Sequence, residues 1–218
     1  MPHKSVDNIC IIYDREYPVS PVPDLSPPHP LDYLQMIQVA EKDPGNEMFA
    51  QKAKELEKAY EEYKNTAAAN LLNYFCNHFS CDFTPDILIA PPTERRYLQE
   101  PITHLFKAKY PSIADLSDCF EKKPAFKSIG KVGLVDQKKP LLTSRNKLLL
   151  IDDVIASSDT IKSITHELRN IYGIQSESFI AICFLYIDAG KYDREKAGMN
   201  QVISQCLAHF NKRHGQHK

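Results

Sequence analysis

Two adjacent carboxylates in the second half of the chain, Asp152 and Asp153, are the residues best suited to bind a ligand. They follow the apolar run Leu148–Ile151, whose length and composition predict a strand buried on both faces, as in a parallel sheet. Small hydroxylated residues come next, and a helical pattern then runs from Asp159 to about Tyr172. Adjacent carboxylates can accept hydrogen bonds from vicinal sugar hydroxyls near a divalent cation, and the N–H groups that open a helix point at an anion. The pattern predicts a ligand site at the carboxyl edge of an open α/β sheet.

A second polar group follows another apolar run. Residues 86–90 predict a buried strand, and Pro91-Pro92-Thr93-Glu94-Arg95-Arg96 comes directly after it. Paired arginines suit a diphosphate because a guanidinium group can bind phosphate oxygens through two N–H groups. The two arginines could equally be a surface pair that contacts no ligand.

The elements that would position these residues alternate between strands and helices. From residue 86 onward the pattern predicts βαβ units, a mostly parallel sheet and right-handed connections. The predicted strands cover residues 8–13, 86–90, 113–116, 148–151 and 179–186, and the predicted helices cover residues 31–40, 47–78, 101–109, 159–172 and 195–210. Residues 121–146 contain many lysines and few helix signals, which indicates a mobile or hairpin-like insertion able to act as a lid.

The first third of the chain has a different character. Prolines crowd the stretch from Pro18 to Pro30 and predict an extended arm. The helix predicted over residues 47–78 carries one apolar stripe, and its other faces have mixed charges. We therefore divide the chain into an N-terminal extension, residues 1–83, and an α/β core with a C-terminal helix, residues 84–218. The arm and the long helix offer surfaces for a protein partner or for a second copy of the chain.

Composition argues against several classes of function. The net charge of −1 gives no electrostatic argument for nucleic acid or an anionic membrane, and no basic recognition helix stands out. No apolar run approaches the roughly 18 residues that cross a bilayer, and the N-terminus lacks the apolar core of a signal peptide. Six scattered cysteines indicate free thiols in a reducing compartment, so we expect a cytoplasmic protein. The alternative for Cys76, His78 and Cys81 is a zinc site, although their spacing matches no common module.

The run Leu-Leu-Leu-Ile-Asp-Asp-Val-Ile-Ala-Ser-Ser-Asp-Thr at residues 148–160 resembles the phosphoribosyl pyrophosphate (PRPP) signature of type I phosphoribosyltransferases. A looser resemblance extends over about residues 84–190. The Pro-rich turn with paired arginines after the first strand of the core is most similar to ComF-like members. The resemblance implies a Rossmann-like parallel sheet flanked by helices. It also implies a glycosyltransferase that moves the phosphoribosyl group of PRPP to a base or another small acceptor and releases pyrophosphate.

The resemblance also implies roles for individual residues. Asp152 and Asp153 would hold the ribose hydroxyls during catalysis and lie near Mg²⁺, the expected cofactor. The 5′-phosphate of PRPP or of a nucleotide would lie in a turn formed by Ala156, Ser157, Ser158, Asp159 and Thr160. Pyrophosphate would contact Pro92, Thr93, Arg95 and Arg96. A variable hood, either the N-terminal segment or the region after residue 186, would select the acceptor.

Departures from the family pattern favour an alternative function. Ser158 stands where the family has glycine, and Asp159 places a carboxylate in a phosphate loop. Pro91 and Pro92 have no N–H groups to offer to pyrophosphate. The alternative is a catalytically degenerate relative that serves as a regulatory or effector subunit of a multiprotein complex, for example in a bacterial defence system.

Overall fold

The computed structural model describes residues 3–16, 33, 37, 40, 44–93, 96–122, 132–155 and 159–187. The proline-rich arm and the C-terminal helix over residues 195–210 lie outside these ranges, as does most of the helix predicted over residues 31–40, so they stay predictions. None of the helices within the described ranges joins enough length to enough apolar character to cross a bilayer.

The described chain contains eight strands and three α-helices. The strands are β1 (His3–Val6), β2 (Ile9–Glu16), β3 (Ile87–Ile89), β4 (Ala114–Asp115), β5 (Phe120–Lys122), β6 (Val132–Leu134), β7 (Leu148–Ile155) and β8 (Phe179–Tyr186). The long helices are α1 (Glu47–His78), α2 (Glu100–Lys109) and α3 (Asp159–Tyr172). The bounds of α1, α3 and β8 are those predicted from the sequence, because long periodic or continuous apolar patterns define them.

Six strands form one sheet in the order β1-β2-β8-β7-β3-β4. Only β1 and β2 pair antiparallel, and the other neighbours are parallel, which confirms an α/β fold with a mixed, mostly parallel sheet. The chain leaves β3 for β4 on one side and returns to β7 on the other side. The crevice between the carboxyl ends of β3 and β7 is therefore a topological switch point, where open α/β sheets bind ligands. β5 and β6 form a separate antiparallel pair within the predicted insertion.

Alternate side chains of β7 pack on opposite faces of the sheet. Leu149 and Ile151 belong to the core under α1 and α2. Leu148 and Leu150 belong to the core under α3 and the β5–β6 pair. The apolar run is continuous because both faces of the strand are covered, as the sequence predicted.

Two described elements of the N-terminal extension, β2 and α1, pack into the sheet and core formed with residues 84–187. β2 pairs with β8 over residues 10–16 and so lies inside the sheet. The N–H of Phe49 donates to the side chain of Asn46, which caps the start of α1. Over its 32 residues α1 rises about 48 Å, and Leu71 and Phe75 pack it against α2 and the sheet. The long helix is thus part of the core that supports the carboxyl edge.

Candidate functional site

The two carboxylates lie within β7, not after its end. The prediction that this strand stops at Ile151 is wrong, because β8 continues alongside and offers ladder partners, with Cys183 opposite Asp152. On the other side β3 has already ended opposite Leu150. Asp152 and Asp153 are therefore paired with a neighbouring strand on one side only and border the crevice at the switch point on the other.

A buried glutamine at the start of α2 holds the first carboxylate. The side-chain Nε2 of Gln99 donates to Oδ1 of Asp152 at 2.9 Å, and the backbone N–H of Asp153 donates to the same oxygen at 2.9 Å. Gln99 is only 1% exposed. Sequence reasoning missed this residue because nothing in the local pattern around it points to a partner 53 positions away. The contact ties the start of α2 to the acid pair.

The electrostatics of the pair are unfavourable to two negative charges. Burial raises the pKa of Asp152 well above its usual range, and the charge and side chain of Asp153 raise it further. The hydrogen bond from Gln99 opposes this shift because it favours the ionised form. A crevice with this character favours ligands that bring a cation or hydrogen-bond donors to the carboxylates.

The turn after β3 is anchored by a short chain of hydrogen bonds. The N–H of Ala90 donates to Oγ of Ser117 at 2.8 Å. That hydroxyl donates in turn to Oδ1 of Asp115 at 2.6 Å, and Lys107 pairs with the other oxygen of Asp115 at 3.1 Å. The chain fixes the exit of β3 at the crevice. Ser117 and Asp115 were not predicted as site residues, since only the fold brings β4 beside β3.

Removal of the Ser117 hydroxyl tests this anchor. Ser117→Ala is expected to lower the free energy of unfolding by about 1–3 kcal/mol, because it leaves the buried N–H of Ala90 without an acceptor. Urea unfolding measures the change. Ser112→Ala, at an exposed serine nearby, is the control and should stay within about 0.5 kcal/mol of the unaltered protein. Equal stability of the two variants would contradict the anchoring role.

The structure describes three of the four residues that were predicted to contact pyrophosphate. Pro92 and Thr93 are half-buried in the turn after β3, whereas Arg95 lies outside the described residues. Arg96 forms an exposed ion pair with Asp118, at 2.9 Å. Lys138, from the predicted insertion, donates to the backbone oxygen of Asp118 at 3.2 Å. Two cationic side chains thus gather beside the exit of β3, on the side of β4.

The predicted phosphate turn ends at the start of α3. Ala156, Ser157 and Ser158 lie outside the described residues, and Asp159 and Thr160 are the first two residues of the helix. A carboxylate in the first turn stabilises a helix through the macrodipole. Asp159 also lines a surface groove of about 630 Å³ between α3 and the β1–β2 turn, together with Lys162 and His166.

The chain offers a partial ligand set for a divalent cation. Within the described ranges, no group of three or more His, Cys, Asp or Glu side chains is placed to hold a metal ion, and Cys76 instead contacts the Tyr110 hydroxyl at 3.9 Å. Two carboxylates nevertheless fit Mg²⁺, which commonly takes one or two protein carboxylates and completes its shell with phosphates and waters. Asp152 and Asp153 would hold such an ion only together with a phosphorylated ligand.

No family model, curated protein or solved structure matches the chain.

Proposed function

We propose that this chain is a phosphoribosyltransferase with the type I fold, acting in cytoplasmic nucleotide metabolism. It would bind PRPP with Mg²⁺ and transfer the phosphoribosyl group to a base or another small acceptor. The observation that carries the proposal is the position of Asp152 and Asp153 at the switch point between β3 and β7, with α3 starting at Asp159. The ribose, the 5′-phosphate and the pyrophosphate of PRPP would then each meet a different part of one crevice.

The acid pair would hold the sugar. The carboxyl oxygens accept hydrogen bonds from ribose hydroxyls, and Gln99 fixes the orientation of Asp152 before the ligand arrives. The 5′-phosphate would lie against the N–H groups that open α3. A nitrogen nucleophile then forms a bond to C1 while the bond from C1 to the pyrophosphate oxygen breaks. Mg²⁺ supplies neutralising charge on the leaving group when it is bound.

The turn after β3 would receive the pyrophosphate. Pro92 and Thr93 shape the turn, and Arg95 and Arg96 would bring positive charge. The ion pair between Arg96 and Asp118 does not oppose this role, because exposed ion pairs contribute only about 0–1 kcal/mol and exchange easily for a phosphate partner.

Pyrophosphate release tests the proposal directly. The protein is incubated with PRPP, Mg²⁺ and a panel of purine, pyrimidine and other nitrogen acceptors, and pyrophosphate is measured over time. We expect release with at least one acceptor and its loss in both Asp152→Asn and Asp153→Asn. Asp82→Asn, at an exposed carboxylate near the opposite edge of the sheet, is the matched control and should retain full release. Release no greater than that of the two site variants, with every acceptor, would refute transferase activity.

A second candidate is a catalytically degenerate subunit that binds PRPP or a nucleotide within a multiprotein complex. The position of Asp159 in the first turn of α3 favours it, because this carboxylate would share the helix N-terminus with a phosphate. Calorimetry with PRPP and Mg²⁺ would then show binding without turnover. Retention of a protein partner after both aspartates are replaced would support this candidate, and rapid turnover by the isolated chain would exclude it.

A further inference from the structure

α1 covers the side of the acid pair that faces away from α3. On β8, Cys183 and Leu185 pair with Tyr13 and Arg15 of β2 and with Asp152 and Val154 of β7. Asp14, Phe184 and Asp153 are the residues between these pairs, so they lie in one row across the three strands. Residues in register on parallel strands share a face of the sheet. Phe184 belongs to the core under α1, and its ring lies 6.4 Å from the ring of Tyr60. The helix therefore projects side chains onto the row that contains Asp153.

Two tyrosines on α1 pack against this row, and they differ in whether the hydroxyl has a hydrogen-bond partner. Tyr60 and Tyr63 are three positions apart, on one side of the helix, and both rings pack near Phe184. The Tyr63 hydroxyl donates a hydrogen bond to Asp14. Tyr60 is 0% exposed, yet its hydroxyl has no hydrogen-bond partner in the described part of the chain. Burial raises the pKa of Tyr60, and the charge of nearby Asp153 raises it further, so the hydroxyl keeps its proton and can donate.

A second buried polar atom without a hydrogen-bond partner lies beside Asp152. Gln99 donates through Nε2 to Asp152, but its buried Oε1 has no partner among the described residues. Buried polar atoms in native proteins are nearly always hydrogen-bonded, and each exception calls for an explanation. The two exceptions here are both near the acid pair: the Tyr60 hydroxyl can donate a hydrogen bond, and Oε1 of Gln99 can accept one.

We infer that Tyr60 and Gln99 are ligand-contacting residues that bind a vicinal diol together with Asp152 and Asp153. The inference rests on the proposed function and extends it, because it identifies which residues read the sugar hydroxyls. One hydroxyl donates to Asp153 and accepts from the Tyr60 hydroxyl. The other donates to Oε1 of Gln99, and Asp152 holds that side chain in place through its Nε2. A phosphate group cannot take this place, because its oxygens have no proton to give to Oε1 and would meet the carboxylates with like charge.

The inference is tested by removing the Tyr60 hydroxyl from the protein and, separately, one hydroxyl from the sugar. Titration calorimetry measures binding of ribose 5-phosphate and of its 2-deoxy and 3-deoxy analogues to the full chain. Tyr60→Phe is expected to bind ribose 5-phosphate about five- to tenfold more weakly, the value of one neutral hydrogen bond. The loss should vanish with one of the two deoxy analogues, because that ligand lacks the hydroxyl that Tyr60 contacts. A purely structural role would weaken all three ligands alike.

Tyr63→Phe is the matched control on the same face of α1. It removes a hydroxyl that already has a partner, so it is expected to lower Tm by at least about 3 °C and to leave ribose 5-phosphate affinity unchanged. Tyr60→Phe should keep or slightly raise Tm, because it removes a buried group without a partner.

The outcomes separate this inference from the function on which it rests. Normal affinity of Tyr60→Phe for all three ligands, with binding lost in Asp153→Asn, would overturn the inference and leave the proposed function standing. Failure of the unaltered protein to bind either PRPP with Mg²⁺ or ribose 5-phosphate would overturn both.

Discussion

Asp152→Asn is expected to stabilise the protein at neutral pH while it reduces pyrophosphate release about 100- to 1000-fold. Asparagine keeps Oδ1, so the hydrogen bonds from Gln99 and from the N–H of Asp153 are retained. Asparagine is also neutral at every pH, so the folded state never has to place a second negative charge beside Asp153, and its side-chain N–H can donate to Asp153. We expect a gain of about 1 kcal/mol in the free energy of unfolding, or roughly 2–4 °C in Tm.

The gain should depend on pH. Because the pKa of Asp152 is raised in the folded state, the folded protein holds a proton that the unfolded chain releases above about pH 4. The contribution of this group is therefore fully present below about pH 4 and is lost as pH rises through the folded-state pKa. Asp152→Asn lacks this loss, so its advantage over the unaltered protein should be larger at pH 8 than at pH 4.

Thermal unfolding between pH 4 and pH 8 checks this expectation. Asp82→Asn serves again as the control, because it alters an exposed side chain near the amino edge of the sheet and should change the free energy of unfolding by no more than about 0.5 kcal/mol. A destabilised Asp152→Asn variant at pH 8 would show that the carboxylate supports the fold instead of straining it. The expectation that the Asp152 carboxyl lowers the stability of the fold would then be wrong.

Phe75→Ala is expected to lower the free energy of unfolding by about 3–5 kcal/mol, the largest stability effect we predict. Phe75 is 0% exposed on α1, and its ring packs 5.2 Å from that of Phe106 on α2. Truncation would leave a cavity where α1, α2 and the sheet meet. A penalty of this size requires that α1 belongs to the folded core. It would not arise if residues 1–83 were an appendage.

Chemical denaturation measures the Phe75→Ala effect. Met48→Ala is the control within the same helix, because Met48 is 68% exposed and its truncation should change stability by no more than about 0.5 kcal/mol. A loss below about 1 kcal/mol for Phe75→Ala would mean that α1 unfolds independently of the sheet. The packing of α1 against α2 and the sheet would then contribute little to the stability of the fold.

Much of the fold follows from local patterns, and the exceptions have physical reasons. The apolar stripe of α1 and the apolar run of β8 begin and end where these elements do, so the sequence predicts the bounds of both. β7 shows the limit, because Asp152 and Asp153 are poor strand residues by composition and are held in β7 only by the neighbouring β8. β4 is another case: its predicted strand shortens to Ala114–Asp115 because only these residues pair with β3.

Some residues of the candidate site could likewise be predicted from local sequence, and others could not. Asp152, Asp153 and the start of α3 stand together in the sequence and could be predicted as one group. Gln99 lies at the start of α2 and Tyr60 lies on α1, and neither carries a local signal for a ligand. Their importance comes from burial without full hydrogen bonding, a property that exists only after the chain has folded.

The pairing of β2 with β8 has a consequence for folding during synthesis. Cys10 and Ile180 are partners in the sheet although they are about 170 positions apart. At ribosomal rates of roughly 5–20 residues per second, the apolar residues of β2 wait roughly 10–35 s for their parallel neighbour. During that interval the β1–β2 hairpin exposes an unpaired, apolar strand edge, which can pair with other chains. The nascent chain is therefore most exposed to aggregation, and most in need of a chaperone, before β8 leaves the ribosome.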